Sequence, residues 1–120
     1  MAIWDIRERS FRFAVRIAKL VSGMRNTVAG AVIARQVMRA GTSVGANIEE
    51  AQGSPSKKDF TRRLNIARGE AREVLYWLRV AKESEVLTGP EVEELRAEAD
   101  ELVRILTAIV KRSRTEDAPS

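Results

Sequence analysis

The sequence predicts an all-α chain folded as an up-down-up-down four-helix bundle, and three observations carry that expectation. Apolar residues recur at steps of three and four along four long stretches. Short polar connections rich in Asn, Gly, Ser and Pro separate those stretches. Hydrophobic residues at 44% supply one core for 120 residues, while charged residues at 32% suit a helical surface.

The first helix is expected over about 3–24. At about 100° per residue, Leu20, Phe13, Ile6, Met24, Ile17, Ala14, Ala18, Phe11 and Val15 spread over roughly 220° of its circumference. One intramolecular core covers an arc of a little over 100°, so this helix is expected to touch something else. Phe13, Ile17 and Leu20 are its candidate interface residues, joined by Ile66, Trp77 and Val80 from the third helix. The remaining arc carries a basic stripe, Arg9, Arg12, Arg16 and Lys19. After a turn at Arg25–Thr27, with Asn26 or Thr27 as cap, the second helix is expected over 28–52. Ile33, Val37, Ala40, Val44, Ile48 and Ala51 form its core face. Gly41 and Gly45 flank that face and invite close approach of a neighbouring helix. Gly53 is placed for a left-handed C-terminal cap.

Ser56-Lys-Lys-Asp59 has the form of a capping box opening the third helix, expected over 56–86. Phe60, Leu64, Ala67, Ala71, Val74, Leu75, Leu78 and Ala81 form its apolar stripe. Arg68, Arg72 and Arg79 align on one flank, near Tyr76. A second box, Thr88-Gly-Pro-Glu91, opens the fourth helix, expected over 90–113, with Glu91, Glu93 and Glu94 where the helix dipole favours acids. Residues 115–120 are expected to be a disordered tail. Domain 1–114 is one unit.

Composition removes several function classes. The chain has neither Cys nor His, so the common nucleophile–base pairs and transition-metal ligands are absent. Carboxylate-bridged metal bundles draw on a Glu-x-x-His element, which is also missing. A non-enzymatic protein without catalytic residues, metal or cofactor is expected. No apolar run approaches the roughly 20 residues of a membrane span, and the N-terminus lacks a signal-peptide core, so a cytoplasmic protein is expected. The net charge of +4 is uneven. Six basic residues and one acid lie between Ile6 and Arg25, against eight acids and one base between Glu83 and Glu101.

QVMRAGTSVGANIEEAQGSPSKKDF, followed by NIARGEAREVLYWLRVAKESEVL, resembles the four-helix-bundle family encoded within intervening sequences of 23S ribosomal RNA genes. The best-matching parts are Ser43, Asn47, Ile48 and Glu50, then Ala67, Gly69 and Glu73, then Arg104-Ile-Leu. The chain departs from the family pattern at Glu49, Ala51 and Glu70. The accessory variability protein of diversity-generating retroelements belongs to the same fold group. The resemblance implies a left-handed bundle assembling into a ring-like homopentamer. It also implies, from the retroelement members, binding to nucleic acid and to a reverse transcriptase.

Two side-chain groups remain to be placed. Ser43, Asn47, Glu50 and Glu73 are expected to form a polar network that fixes helix register, in preference to a metal site built from Glu50, Glu70 and Glu73. The basic rows, Arg9, Arg12, Arg16 and Lys19 or Arg68, Arg72 and Arg79, are candidate RNA or DNA contacts. The competing reading is an ordinary solvated face on a protein-interaction module, its cations paired with the acids of the fourth helix.

Overall fold

Four helices, α1 (Ile3–Ser22), α2 (Val28–Gln52), α3 (Lys57–Glu83) and α4 (Pro90–Asp117), make up the computed structural model, which describes residues 3–24 and 26–117. No strand occurs among the described residues. Each helix packs on the next in sequence and α1 closes on α4, while among the described residues the backbones of α1 and α3, and of α2 and α4, stay more than 8 Å apart across the core. The result is a rod of 54 × 21 × 21 Å.

The core follows the apolar periodicity. Ile6, Phe13 and Ile17 of α1, the expected α2 face, Leu64, Val74 and Leu78 of α3, and Leu95, Leu102 and Leu106 of α4 are buried in one cluster. Each such side chain contributes roughly 1.5–3 kcal/mol on burial, enough collectively to organise the bundle around one apolar axis. The α2 glycines explain the close fit of α1. A Cβ on Gly41 would sit 2.9 Å from Ile17 Cγ2, and one on Gly45 would sit 3.4 Å from Ser10. Absence of both side chains lets α1 lie directly on α2.

The helix ends follow their capping chemistry in part. Thr27 Oγ1 accepts from the Gly30 amide at 3.0 Å, and Ser56 Oγ accepts from the Asp59 amide at 3.2 Å. The Ser56 hydroxyl also donates to the Asp59 carboxylate at 2.9 Å. The expected left-handed cap at Gly53 does not form. Its φ is −94°, and its amide instead donates to Glu50 O at 3.2 Å, closing a tight last turn. The left-handed residue appears at the end of α3, at Glu85 with φ 61°. That reversal folds the Val86 and Leu87 amides back onto Ala81 O at 2.9 and 3.1 Å. Helix α3 therefore ends at Glu83, short of the expected 86, and Leu87 tucks into the core.

Helix α4 continues through Asp117, into the stretch where disorder is expected, and residues 118–120 lie outside the described residues. The expected first turn falls partly on Arg25, also outside them. Among the described residues no helix is long and apolar enough to cross a membrane.

Candidate nucleic-acid interface

The two basic rows have different surroundings. On α1, Arg9 makes a bidentate pair with Glu98 of α4, both contacts 2.7 Å. Arg16 reaches Glu91 at 3.1 Å and Glu94 at 3.2 Å, also on α4. Arg12 pairs with Glu8 one turn back at 3.1 Å. The Glu98 carboxylate raises the Arg9 guanidinium pKa above its ordinary value. The expectation that α1 presents a row of four available cations is therefore corrected. Three of the four face carboxylates, and Lys19 remains exposed beside them. The reason is the acidic start of α4, which folds against the basic side of α1.

On α3 the situation reverses. None of the ion pairs among the described residues engages Arg68, Arg72 or Arg79. Arg79 lines a cleft of about 610 Å³ between α3 and α4, with Leu75, Tyr76, Glu93, Arg96, Ala97 and Asp100. Seven residues before Arg79, Arg72 occupies the same side of the helix, and Arg68 lies one further turn back. Lys82–Glu93 at one end and the buried Thr61–Ser113 hydroxyl pair at the other set the α3/α4 register.

The two acids that line this cleft are already engaged, while Glu83, one turn after Arg79, lines a shallow groove with Arg79 and Tyr76. Asp100 pairs with Arg104 at 3.2 Å. Glu93 takes Lys82 at 2.6 Å and Arg96 at 3.3 Å. The Lys82 hydrogen bond, supported by Arg96, holds the Glu93 carboxyl below the usual carboxylate range. Arg68, Arg72 and Arg79 are thus uncompensated cations beside a neutralised rim. Their guanidiniums are suited to bidentate contact with phosphate oxygens.

Two other groups take places different from those expected. Asn47 Nδ2 donates to Ser43 O at 2.9 Å and to Ser43 Oγ at 3.1 Å, while Arg63 of α3 reaches Asn47 Oδ1 at 3.4 Å. Glu73 does not join them, because Arg39 of α2 holds both Glu70 and Glu73. Glu50 points to solvent. The expected four-residue network is therefore two separate α2/α3 links. No group of three or more acids among the described residues is arranged to hold a metal.

Among the expected interface residues, Phe13 and Ile17 are sealed in the chain's own core, at 1% and 0% exposure. They cannot also face another subunit. Leu20, Trp77 and Val80 are half-buried against that core, and Ile66 is exposed. The surplus apolar face of α1 is instead Phe11, 62% exposed, with Val15. Phe11 and Ala14 line an apolar groove of about 490 Å³ against Thr42, Gly45 and Ala46 of α2. Val28, Val32 and Tyr76 are further exposed apolar or aromatic residues. The signal that separates Phe11 from Phe13 is a phase difference of about 200° on the helix. That phase becomes readable only once the core direction is fixed.

A family model described as 23S rRNA-intervening sequence protein matches residues 4–108. The chain is also similar to a protein of unknown function from the S23 ribosomal protein family of Bacteroides thetaiotaomicron VPI-5482, known from a crystal structure. The two are 36% identical with a TM-score of 0.84, covering 92% of this chain and 99% of that chain. No curated protein matches this chain.

Proposed function

The chain belongs to the 23S rRNA-intervening sequence protein family, and from that premise we propose that it is a non-enzymatic, self-assembling scaffold that contacts nucleic acid or a nucleoprotein. The observation that carries this reading is the row Arg68, Arg72 and Arg79, which makes no ion pair, beside a cleft whose two acids, Glu93 and Asp100, are held by other cations. A cation row of this kind tracks phosphates without reading sequence, because it offers no element shaped to enter a groove. The α1 row contributes little, since breaking its pairs with α4 would cost stability.

The assembly part of the reading is an up-and-down, left-handed bundle that closes into a ring. Short connections and the pairing of Arg7, near the start of α1, with Glu49, near the end of α2, support the up-and-down course. The groove beside Phe11 supports self-association, as exposed apolar surface of this kind marks contact sites. Repetition of the α3 row around a ring would multiply weak contacts into useful avidity. A reverse transcriptase is the protein partner that fits such a nucleoprotein role.

The family description names 23S rRNA, so a structured RNA is the first probe. Binding to an RNA hairpin and to a DNA duplex, measured by anisotropy between about 50 and 200 mM salt, is expected to weaken steeply, at about 0.7–0.9 log units per phosphate contact per log unit of salt. Absence of binding to either at the low-salt end overturns the nucleic-acid reading. Light scattering that returns 13.4 kDa overturns the assembly reading.

A further inference from the structure

Tyr76 lies 59% exposed in the middle of α3, on the rim of the α3/α4 cleft and three residues before Arg79. A large aromatic side chain at that exposure leaves apolar ring surface in water. Its only aromatic neighbour among the described residues is Trp77, with ring centroids 5.2 Å apart and planes at 78°. In an edge-to-face pair, whichever ring presents the edge, each ring keeps at least one face clear of the other. Trp77 is half-buried against the core, so it braces Tyr76 without covering it. Leu75 and Ala97 supply an apolar lining, Arg79 and Arg96 line the same cleft from its two helices, and its two acids, Glu93 and Asp100, are paired with Lys82, Arg96 and Arg104. The volume of about 610 Å³ lies within the roughly 300–1,000 Å³ of ordinary ligand clefts.

We propose that this cleft takes an unpaired nucleobase, stacked on Tyr76, with the flanking phosphates held by Arg79 and Arg72. The inference rests on the nucleic-acid reading above and sharpens it from polyanion binding to a preference for single-stranded segments. An aromatic ring flanked by cations is the recurrent means of holding single strands, since every base has a π face. A duplex keeps its bases stacked inside, out of reach of a ring on a helix surface. The preference is for exposed bases in general, because stacking does not depend on hydrogen-bond pattern.

The test compares a fluorescent single-stranded oligonucleotide of about 12 nucleotides with an abasic oligomer of equal length and charge, long enough to span an ordinary single-strand site. The wild-type protein is expected to bind the base-bearing strand about 10-fold more tightly. Tyr76→Phe keeps that ratio, and Tyr76→Ala brings it to about one while the abasic affinity and the salt dependence stay unchanged. Equal binding of the two strands by wild type, or a ratio that Tyr76→Ala does not move, overturns the stacking inference and leaves the phosphate reading standing. A fall in assembled mass for Tyr76→Ala overturns it as well, because the ring then packs between subunits. Failure to bind either strand at low salt overturns both readings.

Discussion

Two rows of arginines run along this bundle, and their neighbours give them opposite roles. Arg9 and Arg16 on α1 lie against Glu98, Glu91 and Glu94 of α4, so their charge joins two helices. Arg79 on α3 lines a cleft whose acids Lys82, Arg96 and Arg104 already hold, and Arg72 lies exposed two turns before it, so their charge faces outward. Residue type and helical spacing are similar in the two rows. The difference is whether the carboxylates of the helix packed alongside are still free to pair, and it shows that residue type and helical spacing do not by themselves say which cations of a stripe are left unpaired.

Four experiments break or sharpen this contrast. The largest effect is expected from reversing the outward row. Arg72→Glu with Arg79→Glu should weaken RNA binding about 100-fold at low salt and leave the melting temperature within a degree or two, since surface changes are usually within about 0.5 kcal/mol. Arg12→Glu with Lys19→Glu, on the α1 side, should change binding less than about 3-fold. Equal losses from both pairs would erase the distinction.

Next is the seam itself. Glu98→Gln removes the negative charge and one of the two acceptor oxygens from a half-buried bidentate pair and should cost about 1–2 kcal/mol in denaturant unfolding, toward the lower end because the pair is partly screened. The same change frees Arg9 and should leave RNA affinity unchanged or slightly higher. A variant as stable as wild type would show that the α1/α4 seam rests on apolar packing alone.

Glycines report the two faces in a third way. At Gly41 a methyl would press on Ile17, so Gly41→Ala should destabilise by about 1 kcal/mol, crowding of about 1–3 kcal/mol exceeding the helix-propensity gain. At Gly69 a Cβ meets nothing within 4 Å, and Gly69→Ala should stabilise the chain by up to about 1 kcal/mol. A destabilised Gly69→Ala, measured on the assembled protein, would reveal that another subunit approaches α3 there.

The smallest effect is that of pH. Arg7 holds the Glu49 carboxyl, and Lys82 the Glu93 carboxyl, below the ordinary range. A lowered native pKa stabilises the fold above the unfolded value and loses that stabilisation as pH falls through the native value. Melting temperature should therefore be nearly flat from about pH 8 to 5 and decline only below about 4.3. Both carboxylates are exposed, so the decline should be shallow. A steep fall already near neutral pH would contradict this placement of the charges.

Much of the fold was legible before any coordinate. The α2 core face from Ile33 to Ala51 is buried as its spacing indicates, and the Thr27 and Ser56 caps act through their hydroxyls. The pairing of Gly41 and Gly45 pointed to close approach, which Ile17 and Ser10 make. The candidate site was less legible. Nothing local distinguishes Arg9 from Arg79, or Glu73 from Glu50, because each partner comes from a different helix. Phe13 and Phe11 were both on the apolar arc of α1, and the arc was too broad to say which of them the core would take.

The sequence by itself therefore determined that four helices form, roughly where they break, and which faces carry apolar and charged residues. Those properties follow from backbone propensity and from periodicity, both of which act over a few turns. Tertiary structure decided which face of α1 is core, that Glu85 takes the left-handed turn directly after α3, and which arginines are neutralised. These outcomes depend on rotation and register between helices. They are set by packing and Coulomb terms that link residues up to 89 positions apart, as in the Arg9–Glu98 pair, beyond the reach of any local pattern.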